Sequence, residues 1–203
     1  MNIYTFLLTT LIIVLLPGTG VIYTVSVGLT EGKKRSIFAA LGCTAGIIPH
    51  LCISIVLLSL FMQMNDMVFT LIKYAGVLYL IYLGFEMIFS QGNIRFSEMQ
   101  TEYSLAAIIR RAIFINLLNP KLTLFFFSFL PQYVGSDSSH YLIKSALLGI
   151  VFMILTLIIF IGYGFLAGTA KDWLCRSPER IAFLQKCFGS AFVVFALKLA
   201  LEK

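Results

Sequence analysis

IYTFLLTTLIIVLLPGTGVIYTVSV, residues 3–27, is an apolar run long enough to cross a bilayer, yet Pro17-Gly18 interrupts it about a dozen residues in. IIRRAIFINLLNPKLTLFFFSFLP, residues 108–131, repeats the arrangement, with Asn119-Pro120 as the break and Lys121 directly behind it. A proline inside a helix removes a backbone hydrogen bond and crowds the preceding turn. In hydrocarbon each unpaired backbone group costs several kcal/mol. Such a break survives only where protein or a water-filled cavity covers it. Two breaks at corresponding positions of two halves point to a transporter's binding site.

The rest of the chain fits that frame. Of 203 residues, 60% are hydrophobic and only 12% are charged, against about 25% charged in a soluble domain. Mean hydropathy is +0.97. The class is an all-α, polytopic membrane protein, and no polar stretch is long enough to build a second, soluble domain. The net charge of +6 suggests no nucleic-acid partner, because the basic residues lie in short segments between apolar runs, where they set orientation. No positive charge precedes the first run and no small-residue cleavage pattern follows it, so the first run is expected to stay as a helix rather than be removed as a signal peptide. Cys43, Cys52, Cys175 and Cys187 form no C-x-x-C pair, which argues against redox or metal chemistry.

Six runs reach the roughly 20 residues a crossing needs: about 3–27, 36–62, 67–90, 107–133, 141–168 and 181–200. Lys33, Lys34 and Arg35 mark the first connection, Arg95, Arg110 and Arg111 the third, and Lys171, Arg176 and Arg180 the fifth. The positive-inside rule places these three in the cytoplasm and both termini outside. Trp173, in the fifth connection, fits an inner interfacial belt, and Tyr133 an outer one. The third connection is long and is expected to be a solvated linker.

Three crossings per half make a tandem duplication arrive inverted. Pro17 matches Pro120, Ala39-Ala-Leu-Gly42 matches Ala146-Leu-Leu-Gly149, and Lys73-Tyr-Ala-Gly76 matches Lys186-Cys-Phe-Gly189. The expected organisation is one transmembrane domain over 1–203, with repeat one at about 1–90, a linker at about 91–106 and repeat two at about 107–203. Helices one and four are the broken ones.

Candidate functional residues gather at the breaks. Lys121 sits near mid-span, where a cation costs at least ~2.5–3.5 kcal/mol on insertion scales. The spacing favours a lysine facing a cavity. Asn119 lies beside it and Asn116 one turn earlier. New half-helices are expected after Pro17-Gly18 and after Asn119-Pro120, and their free N–H groups and positive dipole ends suit an anion. The expected substrate site is therefore Pro17, Gly18, Thr19, Asn116, Asn119, Pro120 and Lys121, with a carboxylate as ligand. Asn119, Tyr23, Thr19, Thr24 and freed carbonyls are candidates for a substrate ammonium. His50, one residue after Pro49, and Glu86 are the visible titratable candidates for ion coupling; the alternatives are a hydrogen-bonded structural histidine and a surface glutamate. His140 is too remote to share a metal with His50, and no metal site or cofactor is expected. Gly28 with Gly32, and Gly42 with Gly46, have the four-residue spacing that lets helices approach closely.

The ordered set of motifs resembles the lysine exporter and homoserine/threonine resistance (LysE/RhtB) family along nearly the whole chain. Leu16-Pro17-Gly18 is similar to the family's L/T-P-G-P segment, and Gly28-Leu-Thr-Glu-Gly32 to its glycine-marked exit. Ala39-Ala-Leu-Gly42 with Gly46 and His50 is similar to A-A-L-G-x-x-x-G-x-x-x-H. Gly76, Tyr79, Leu80 and Gly84 are similar to its G-x-x-Y-L-x-x-x-G helix. Asn119-Pro120-Lys121, Phe125-Phe126 and Pro131-Gln132-Tyr133 are similar to N-P-K…F-F…P-Q-F, and Gly189 and Leu199 to its closing helix. Thr19 stands where a second proline is usual, and Ser36 where a loop glycine is usual. The resemblance implies a bacterial inner-membrane exporter of amino acids or related small zwitterions, driven by the proton-motive force and not an enzyme; a homo-oligomer stays open. Export of a metal ion or small cation is an alternative, but intramembrane acids are lacking. A membrane thiol-disulfide carrier would need facing cysteines, and a scaffold subunit would show no flux.

Overall fold

The computed structural model describes residues 3–16, 18–61, 74, 77–78, 81–82, 84–85, 88–89, 104–134, 140–175 and 178–201. Every regular element among them is a helix. Both sequence breaks appear as bends. Helix α1 (Ile3–Leu15) and helix α2 (Thr19–Thr30) meet at 54°. Helix α5 (Leu105–Leu117) meets the segment that follows Asn119 at 57°. That segment is α6 (Pro120–Leu124), a π-helical turn over Phe125–Phe129, and α7 (Leu130–Val134).

Between the bent pairs, α3 (Lys33–Ala45) and α4 (Ile48–Phe61) follow one another across a turn at Gly46-Ile47. Pro49 explains the turn: it has no N–H for the carbonyl four residues back and is tolerated only in a first helical turn. The stretch Lys33–Val56 is long and apolar enough to cross a bilayer, as is Tyr141–Thr169 within α8 (Tyr141–Cys175); each bent pair also passes when taken as one crossing. Helix α9 (Pro178–Leu201) has 24 residues. The third predicted crossing lies largely outside the described residues, though those described between 74 and 89 are helical. Most of the predicted linker also lies outside them. Its end is visible as Ser104, whose Oγ accepts from Ala107 N at 3.2 Å and caps α5.

The structure moves several charges from loops into helices. Lys33, Lys34 and Arg35 form the first turn of α3, and Arg110 and Arg111 lie within α5. Lys171 and Trp173, expected in the fifth connection, belong to α8, which runs on to Cys175 because neither proline nor glycine interrupts 169–175. At 1.5 Å per residue its 35 residues span about 50 Å, well beyond the ~30 Å hydrocarbon core.

Helix α2 packs on α3 and α8, and α3 packs on α5 and α8. Small residues make the approach possible: a Cβ on Gly42 would stand 2.6 Å from Ile109 O, and one on Gly28 2.6 Å from Gly164 O. Gly32 differs, with open space around it and φ +90, the left-handed region that only glycine enters freely. It allows a two-residue connection between α2 and α3. Val27, Ala39, Cys43, Ile47, Ile108 and Phe126 are fully enclosed, whereas Leu78, Phe89, Leu118, Ile158 and Leu166 face outward, as lipid-facing positions do.

Candidate functional site

Helix α1 ends for a chemical reason. Ile12 O still accepts from Leu16 N at 3.1 Å. The next carbonyl, Ile13 O, would need an N–H on residue 17, and proline has none. Lys121 supplies the donor from the other half of the chain: its Nζ donates to Ile13 O at 3.0 Å and to Leu16 O at 2.6 Å. Tyr163, on α8, donates its hydroxyl to Leu15 O at 2.7 Å. The C-terminal end of a helix carries partial negative charge and favours a cation, which is what Lys121 brings.

The second break arranges its own polar groups. Asn119 caps α6, its side-chain oxygen accepting from Lys121 N at 3.1 Å. Its Nδ2 donates to Asn116 Oδ1 at 3.1 Å, and Asn116 Nδ2 donates to Cys43 O on α3 at 2.6 Å. Asn116, Asn119 and Lys121 are all buried, at 1%, 3% and 5% exposure, so these bonds act in a dry environment where unpaired groups are costly. Gly18 starts α2 without any side-chain cap. A Cβ there would stand 3.1 Å from Lys121 Cε and 3.2 Å from both Lys121 Nζ and Asn119 Nδ2. The uncapped start of α2, the lysine tip and the asparagine amide therefore meet at one point.

A cavity opens beside this point. Asn116, Asn119 and Lys121 form its polar end, Ile13, Val14 and Leu122 one wall, and Phe152, Thr156 and Phe160 of α8 the other. The cavity is small, about 10 Å³, roughly what one water requires. The site is thus narrow at its polar groups. Beside it, Phe152 stacks on Phe125 with centroids 4.5 Å apart and meets Phe126 edge-on at 5.1 Å. Phe125 and Phe126 belong to the π-helical turn, where Ser54 Oγ donates to Phe126 O at 2.6 Å. Further along, Tyr133 donates to Thr9 Oγ1 at 2.8 Å and packs edge-on against Phe6.

Of the residues expected from the sequence, Gly18, Asn116, Asn119 and Lys121 come together, with Pro120 as the first residue of α6. Thr19 is exposed; its hydroxyl lies 3.4 Å from Ile115 O and it does not line the cavity. Pro17 and Glu86 lie outside the described residues. Tyr23 donates to Ile108 O and Thr24 to Gly20 O, so both serve helix contacts. His50 is buried, with Nδ1 3.2 Å from Gly46 O and Nε2 3.1 Å from Thr123 Oγ1. A carbonyl only accepts, so Nδ1 carries the hydrogen in this bond. His50 thus grips the helix that carries Lys121 without reaching the cavity.

Sequence reasoning missed Tyr163 and the α8 wall. Phe152, Thr156 and Phe160 recur every fourth residue and so share one helix face, a signal hidden within a uniformly apolar run. Cys43 is buried and donates to Gly20 O at 3.6 Å, while Cys52 and Cys187 are exposed and all three are free thiols.

Comparison with known proteins gives a consistent result. The model of the LysE type translocator family matches residues 11–203. An uncharacterized membrane protein of Vibrio cholerae is 31% identical over 98% of this chain and 96% of its own length. Homoserine/homoserine lactone efflux proteins of Salmonella typhimurium and Salmonella typhi are 28% and 29% identical, over 97% of this chain and 95% of theirs. No solved structure matches the chain.

Proposed function

The chain belongs to the LysE type translocator family, and from that premise we propose that it exports homoserine or a closely related small amino acid from the cytoplasm, driven by the proton-motive force. The architecture in this proposal is six crossings in two inverted three-helix repeats, with the basic helix ends inside and both termini outside. Similar bends of 54° and 57° at the two breaks support the repeat, and the efflux relatives support the direction and class of transport.

The observation that carries the reading is the buried Lys121 Nζ, held between the two breaks at the polar end of a cavity. During export Lys121 and the uncapped start of α2 take the substrate carboxylate, and Asn119 with Asn116 orients it. In this proposal the phenylalanine cluster around Phe152 and the Tyr133–Thr9 contact narrow the outer side, and the narrow cavity is one stage of an alternating cycle. A cation as cargo is disfavoured because Lys121 would repel it at close range.

The experiment is counterflow in proteoliposomes holding the purified protein, with homoserine inside and radiolabelled homoserine, threonine, serine or lysine outside. Exchange of homoserine or another small neutral amino acid is expected. Absence of exchange with every member of the panel would remove the proposal.

A further inference from the structure

Lys121 Nζ is bound to Ile13 O and Leu16 O, two main-chain acceptors at the end of α1. We propose that this carbonyl pair is the ammonium-binding half of the substrate site, and that Lys121 occupies it until a substrate ammonium takes its place. The inference rests on the export reading above and gives it a second pole.

Four observations converge on it. Pro17 leaves Ile13 O without its helical donor by its covalent chemistry, so this acceptor must always be served from elsewhere. What serves it is a primary ammonium on a flexible four-carbon stem, the same chemical group an amino acid carries. The cavity adjoins it, lined by Ile13 and Val14 and by Asn116 and Asn119. Finally, Gly18 leaves room for the lysine tip, which lies 3.1 to 3.2 Å from where a Cβ on Gly18 would be.

The two roles of Lys121 then follow in sequence. Without substrate its ammonium satisfies the carbonyls and the cavity stays narrow. A zwitterion entering the site gives its ammonium to Ile13 O and Leu16 O, releases Lys121, and offers the freed lysine its own carboxylate. Each charge finds a partner only when both ends of the ligand are present. A ligand with the ammonium alone must displace Lys121 and leave it unpaired. A ligand with the carboxylate alone draws Lys121 away and leaves the carbonyls unpaired. The site therefore selects zwitterions over either half.

The test compares three probes on purified protein, read by ligand-induced thermal stabilisation: homoserine, homoserine amide (ammonium without carboxylate) and 2,4-dihydroxybutyrate (carboxylate without ammonium). In the wild type the two half-ligands are expected to bind at least tenfold more weakly than homoserine. In Lys121→Met the order inverts: the amide gains at least tenfold because nothing competes for the carbonyls, while homoserine loses. Amide binding that falls in Lys121→Met together with homoserine binding overturns the proposal. So does 2,4-dihydroxybutyrate binding as tightly as homoserine in the wild type, a measurement that stands even where the variant fails to fold. Absence of counterflow strikes the export reading instead, since these binding measurements involve no transport.

Discussion

Among the described residues the first break contributes backbone: Gly18 starts α2 with no side-chain cap, and the end of α1 presents carbonyls to side chains from far along the sequence. At the second, Asn119 caps its own helix, Asn116 ties it to α3, and Lys121 reaches across to the first. Two breaks of nearly equal bend thus have opposite chemistry. The difference teaches that two similar breaks can divide the work, one exposing polar backbone and the other carrying the side chains that meet it.

The comparison breaks most completely at Lys121. Replacing it with methionine removes two charge-assisted bonds, each worth about 1.5–3 kcal/mol. Efflux is expected to fall at least roughly 100-fold, equivalent to about 2.7 kcal/mol, with a lowered midpoint of thermal unfolding; efflux at the wild-type rate would refute the role given to this residue. Asn119→Ala removes the cap and the link to Asn116. It should cost about 1 kcal/mol of stability and reduce transport around tenfold, a unit of ~1.4 kcal/mol, as read by counterflow. Gly18→Ala pushes a methyl against the lysine tip without removing any partner. A rise in KM of several-fold with little change in unfolding temperature is expected, and an unchanged KM would show that the two breaks do not touch functionally. Tyr163→Phe removes the hydroxyl from Leu15 O but leaves the Lys121 contacts intact, and should have the smallest effect, about 1 kcal/mol of stability and within about twofold in efflux.

His50 sharpens the comparison rather than breaking it. His50→Gln can keep one of its two contacts, to Gly46 O or to Thr123. Retention of most of the efflux, measured across a pH gradient, is expected of a positioning residue. Complete loss of gradient-driven efflux with counterflow intact would make it a coupling group instead.

The sequence made the breaks legible because proline and glycine act on their own backbone, with no help from the fold. It also made Lys121 conspicuous, since a cation mid-span needs a reason. What Lys121 bonds to was not legible: a main-chain carbonyl more than a hundred positions away leaves no mark in residue type. The same holds for Cys43 O, the acceptor for Asn116. Thr19 was expected at the site because it adjoins Gly18, but a helix turns about 100° per residue, and adjacent positions face different ways. The connections were drawn too long for a related reason. Basic residues suggest water, yet a helix such as α8 carries them out of the bilayer without ending.

The π-helical turn at Phe125–Phe129 holds one more residue than an α-helix would use for the same hydrogen-bonded step. That extra residue is slack. Taking it up into regular α-helix would rotate everything beyond it by about 100° and move it by about 1.5 Å along the axis. Tyr133 would swing away from Thr9 and Phe6, while Lys121, upstream of the turn, would stay in place. The segment thus has a built-in gearing by which its C-terminal end can change partners while its N-terminal end keeps hold of the site.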